Sequence, residues 1–182
     1  MKLRPLKRKW DKKANMPDII LFPVIIFANA VVLFILYFMW IQMQEPLTTG
    51  FNSTNADSAA IVNDTMPKIT GALKLFDTLF PLFMVGVILS IIISAFFIRT
   101  YPFLFFISLL LWIVAIFIAV VMANVHSTAI RENPAFASVV GDFNTTNYIV
   151  NRLPIITLVL AIVVSIILYS KLSGYAGTGG GI

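Results

Sequence analysis

Residues 102–125 read PFLFFISLLLWIVAIFIAVVMANV, and they lie inside a run of 31 residues between Arg99 and Arg131 that holds no Asp, Glu, Lys or Arg. About 20 apolar residues carry a helix across a hydrocarbon core of about 30 Å. A soluble helix of this length keeps one polar face, whereas Phe103–Ile107 and Ile113–Met122 are apolar all round. Peptide groups find no water in lipid, so such a segment closes its hydrogen bonds on itself as a helix.

Working outward, three more charge-free runs appear: 26 residues between Asp18 and Glu45, 21 between Asp77 and Arg99, and 18 between Arg152 and Lys171. The composition agrees, with 59% hydrophobic residues, 12% charged and a mean hydropathy of +0.95. Soluble domains sit near half apolar and a quarter charged. The expected fold is an all-α integral membrane protein with four transmembrane helices, at about Ile19–Gln42, Thr78–Ile98, Pro102–Ala123 and Leu153–Ser170. Ala28-Asn29-Ala30 follows a basic start, as a leader cleavage site would, but the apolar run continues through Trp40. That exceeds the apolar stretch of a leader, so the first span reads as a retained anchor.

Lys and Arg concentrate on the side that is not translocated. Lys2, Arg4, Lys7, Arg8, Lys9, Lys12 and Lys13, with Arg99 and Lys171, fall on one side of a four-span chain. Lys68, Lys74, Arg131 and Arg152 fall on the other, among Glu45, Asp57, Asp64, Asp77, Glu132 and Asp142. The expected topology is N-in/C-in, with two short, partly helical outer segments.

Eight segments follow along the chain. Residues 1–16 form a basic arm in which Leu3, Leu6, Trp10 and Ala14 recur at helical spacing, suited to a headgroup layer. The first span covers 17–43, opened by Asn15, Pro17 and Asp18 as helix-start residues. An outer loop over 44–66 holds one short helix near Ala56–Val62, and a long second helix runs over 67–99, starting at Pro67. Arg99-Thr100-Tyr101-Pro102 is a tight turn, which makes spans two and three an antiparallel hairpin. The third span covers 100–125, an outer loop 126–147, a last helix 148–173, and a Gly-rich flexible tail 174–182.

Small residues recur every fourth position in three spans: Gly86, Ser90 and Ser94; Ala115, Ala119 and Ala123; Thr157, Ala161 and Ser165. Lipid tails compete with any Leu–Leu contact, so close backbone approach at small residues is what holds such helices together. Spans two, three and four are therefore expected to form the tight core. The first span lacks a ladder, and Asn29 is its polar handle, expected to bond across helices. Tyr37, Trp40, Tyr101, Tyr148 and Tyr169 stand near span ends, as interfacial aromatics do.

Nothing points to chemistry. Proton and ion pathways use ionisable groups inside the membrane, and here all of them fall at or beyond the span ends. His126 is the single histidine, too few for a zinc set, and cysteine is absent. No cofactor or metal is expected, and no catalytic residue. The tripeptides Asn52-Ser-Thr, Asn63-Asp-Thr and Asn144-Thr-Thr match glycan acceptors, a match that polar Asn/Thr-rich loops also give by chance. The basic arm fixes topology, and its charges suit anionic lipid or a polyanion such as nucleic acid.

The stretch Ala123-Asn-Val, Asn133-Pro-Ala-Phe136, Asn147-Tyr148 and Leu153-Pro154 resembles unannotated phage proteins. The overall plan resembles the small multi-span internal-membrane proteins of lipid-containing, double-jelly-roll phages (corticovirus-like and tectivirus-like). That resemblance implies a structural role, with outer loops toward a capsid and the arm toward a genome. Two other functions remain open: an accessory subunit of a cellular membrane complex, and a holin-like pore former.

Overall fold

The computed structural model describes residues 17–53, 56–97 and 102–177. The basic arm, the turn at Arg99 and the last five residues, 178–182, lie outside the described residues. Among the described residues six α-helices form: α1 (Pro17–Asn52), α2 (Ala56–Phe97), α3 (Pro102–His126), α4 (Ala137–Asp142), α5 (Asn144–Asn151) and α6 (Leu153–Gly177). A π-helical turn, Ser127–Arg131, and a 3-10 turn, Pro134–Phe136, join α3 to α4. Helices α1, α2 and α6, and α3 with its π turn, are long and apolar enough to cross a membrane. Among the described residues the chain is all-helical, with the four long apolar helices of an integral membrane protein.

The first two helices are longer than the sequence suggested. Segment 44–66 was expected to loop around one short helix near Ala56–Val62, with the long helix starting at Pro67. Instead α1 runs on to Asn52 with Pro46 inside it, and α2 begins at Ala56 with Pro67 inside it. A proline removes one backbone bond and crowds the preceding turn. Both helices nevertheless continue through their prolines, packed side by side. At 1.5 Å per residue the 42 residues of α2 extend about 63 Å, against a core of about 30 Å. At the far end α6 continues through Gly174 to Gly177, so the expected flexible tail is helical in its first residues.

The neighbour relations also differ. Helix α3 packs on α6 and α1, while α2 packs on α1 and α6. Consecutive α2 and α3 share no packed face among the described residues, so they sit on a diagonal rather than as the expected hairpin. The bundle order is α1–α2–α6–α3. Its core holds Phe22, Ile26, Ala30, Phe34 and Tyr37 of α1, Phe80, Met84 and Ala95 of α2, Trp112, Ala115 and Ala119 of α3, and Leu153, Leu160, Val164 and Leu168 of α6. Helix α1, without a small-residue ladder, is thus central. Phe22, Ile26, Ala30, Phe34 and Tyr37 form a stripe at spacings of three and four, one face of a helix.

Candidate functional site

The ladders fare differently. Ala115, Ala119 and Ala123 are buried on α3, as are Thr157 and Ala161 on α6, with Ser165 half-buried. Gly86, Ser90 and Ser94 are exposed, and a methyl group added at Gly86 would meet nothing within 4 Å. Helix α2 instead buries Phe80, Met84 and Ala95. In a helix apolar on every side, larger side chains that fill the bundle choose the face, and the small residues are left toward lipid. Asn29 is half-buried, and no side-chain hydrogen bond joins it to another helix among the described residues. The Lys and Arg residues of the arm lie outside the described residues.

The densest polar structure stands at the end of the bundle where α1 and α2 outrun the other helices. Here α4 and α5 form a cap strapped to both. Asp142, which ends α4, accepts a hydrogen bond from the Tyr37 hydroxyl at 2.6 Å and faces the Lys74 ammonium at 2.7 Å. One carboxylate thus ties the cap to α1 and α2 together. Desolvation pushes the Asp142 carboxyl up, but the Lys74 and Tyr37 bonds outweigh it and hold it below the usual range. Tyr37 was expected at the interface; it is 2% exposed and belongs to the core.

Asp77 provides a second strap. Its two oxygens accept the backbone N–H groups of Thr145, at 3.1 Å, and Thr146, at 2.7 Å. Those amides open α5, where a helix has N–H groups without internal partners and a positive dipole end. Helix α5 has no cap of its own, since the residue before it is Phe143. A carboxylate 68 residues earlier in the chain does the capping. Above these straps the Trp40 indole N–H and the Gln44 amide both donate to the Thr70 hydroxyl, at 2.9 and 3.0 Å, pinning α1 to α2.

Aromatic contacts fill the space beneath the cap. Phe143 meets Phe34 and Tyr37 edge-on, with centroids 5.7 and 4.9 Å apart, and Phe136 packs on Phe38 at 4.7 Å. His126 is 1% exposed, 5.4 Å from the Phe34 ring. It lies beside the Asn147 carboxamide, yet outside hydrogen-bond geometry, so both ring nitrogens are buried without a partner. Among the described residues no three His, Asp or Glu converge as a metal set would.

The arrangement is a pair of long helices braced by the cap where they outrun α3 and α6, and sequence reading missed the brace because its bonds join residues up to 105 positions apart. Asp77 and Asp142 stood out only as acids near span ends. Comparison with protein-family models, characterised proteins and solved structures finds no match to this chain.

Proposed function

We propose that this protein is a non-catalytic structural protein that organises a bilayer against a protein layer, as a virion membrane protein linking lipid to capsid. The observation that carries this reading is the braced α1–α2 projection. About 30 Å of α2 stands beyond a core of about 30 Å, and two carboxylates lash the cap to its base. A flexible loop would not need such bracing; a spacer of fixed height does. In this reading both termini lie on the opposite side, where the basic arm meets anionic lipid or the genome.

A photo-crosslinking amino acid placed at Phe51 or Ile61, which are 43% and 67% exposed near the tip of the projection, tests this in the native assembly. The expected product joins the tip to one abundant shell protein, in particles that also contain lipid. A product with a single stoichiometric enzyme would replace this reading with that of an accessory subunit. Lysis on induced expression, with no shell product, would replace it with a pore former.

A further inference from the structure

Among the described residues two titratable side chains are buried, Tyr37 and His126, and only Tyr37 takes part in a strap. His126 stands at a joint. It closes α3, and the π turn Ser127–Arg131 begins at the next residue. A single π turn interrupts the regular hydrogen-bond ladder, and such turns are frequent at functional sites. The Phe34 ring of α1 and the Asn147 carboxamide of α5 flank the imidazole, and α5 packs on α3. Both ring nitrogens and the Asn147 carboxamide oxygen are buried without a bond.

The charges around this site give an imidazolium no support. Its own π turn brings Arg131, a cation that acts on it, and next to that turn Glu132 is exposed, accepting from the Ser127 hydroxyl at 3.4 Å. On α1, Tyr37 is bound to Asp142 of α4, and Glu45 is exposed farther along. On α2, Lys74 faces Asp142 and Asp77 holds the first amides of α5. Tyr148 of α5 is exposed beside Arg152, while Tyr169 and Lys171 of α6 stand at the other end of the bundle. Among the described residues no carboxylate pairs with His126.

We propose that His126 is an acid-operated latch of the cap: neutral, it lies sealed beneath α5, and once protonated it draws in water by lifting the cap from α3. An imidazolium sealed here would have neither an acceptor nor solvent, so the charged ring is stable only where water reaches it. Phe34 is rooted in a 36-residue helix of the core, whereas α5 has eight residues and is capped from outside by Asp77, so α5 is the side that yields. The closed cap holds the neutral ring. The latch is therefore full above the ordinary imidazole value of about 6.5 and is lost as pH falls below it. The Asp142 strap does not open first, because its carboxyl is held below the usual range and stays charged through this interval. The latch concerns how the cap is held and not what the α1–α2 tip meets, so either reading can fail alone.

The chain has no cysteine, so single introduced thiols report opening. Val139 of α4 and Ala119 in the middle of α3 are fully buried, and Ile61 is exposed. Val139→Cys, Ala119→Cys and Ile61→Cys proteins in lipid nanodiscs are reacted with a pyridyl disulfide. Each rate is divided by that of Ile61→Cys at the same pH, which removes the chemistry of the thiol itself. For an opened imidazole titrating near 6.5, the open fraction grows about 30-fold between about pH 7.5 and about pH 5. The thiol at 139 is expected to gain about that factor, and the thiol at 119 none. His126→Leu abolishes the gain, as does His126→Gln if circular dichroism shows the first variant poorly folded. Asp142→Asn raises the neutral rate and keeps the gain. A gain below about threefold would mean that the ring stays closed, and would overturn the latch. An equal gain in both His126 variants would assign it to other groups, and a parallel gain at 119 to unfolding of the whole bundle; either also overturns it.

Discussion

Asp77→Ala removes the acceptor of two backbone bonds at the start of α5, and its effect can be worked out from the geometry. Losing a helix N-cap costs about 0.5–2 kcal/mol. Losing a negative charge at the positive dipole end adds about 0.3–1 kcal/mol. The Thr146 bond is the shorter, at 2.7 Å, and partly buried, so water replaces it poorly. A total near 2 kcal/mol follows, in the middle of these ranges. For a chain of this size about 1 kcal/mol shifts Tm by roughly 2–4 °C, so a fall of about 4–8 °C is expected. Asp77→Asn keeps one acceptor oxygen of two and should fall between. The assay is thermal unfolding in detergent by circular dichroism, paired with amide exchange at Thr145 and Thr146. Those two amides should exchange faster in the variant while the middle of α3 is unchanged. An Asp77→Ala protein with wild-type Tm and wild-type exchange at both amides would refute the strap.

The remaining predictions concern the bundle and the cap. Ala119→Leu forces a large side chain into a fully buried alanine site, and a loss of about 1–3 kcal/mol is expected, whereas Gly86→Leu, with open space around it, should move stability by less than about 0.5 kcal/mol. Thermal unfolding of the two variants checks the pair, and equal effects would mean that α2 packs on its other face. His126→Leu removes two buried nitrogens that lack partners, so stability should hold or rise, by up to about 1–3 kcal/mol. A fall in Tm would show that the imidazole is bonded. The Asp142 carboxyl is held below its ordinary 3.8 in the folded state, so its contribution is full at neutral pH and fades as pH falls through and below that value. Asp142→Asn should flatten this acid limb of a Tm-versus-pH profile, and an unchanged limb would assign it to other carboxylates.

The membrane spans were legible because lipid imposes a crude demand, namely length and absence of charge, that single-chain composition meets or fails. Which face of each span points inward was legible only for α3 and α6, where the alanines and Thr157 are buried. On α2 the same small-residue spacing points outward, because apolar residues surround the helix and periodicity carries no directional signal there. Pro46 and Pro67 misled for a related reason: proline marks helix ends on average, but α1 and α2 each continue through one while packed on the other. The cap was illegible as a unit. Tyr37, Lys74 and Asp142 come from three separate elements, and nothing near any one of them in sequence names the other two.

The diagonal placement of α2 and α3 has a consequence for biogenesis. Helices α1 and α2 are sequential antiparallel neighbours, and so are α3 and α6, with the cap between the latter pair. Each half can therefore enter the bilayer as a finished pair before the halves meet along α1–α3 and α2–α6. The helices on either side of Phe97 and Pro102 pack mainly on other partners rather than on each other. Fragments ending at Phe97 and starting at Pro102, made as separate chains in one cell, are accordingly complementary pieces of a single object.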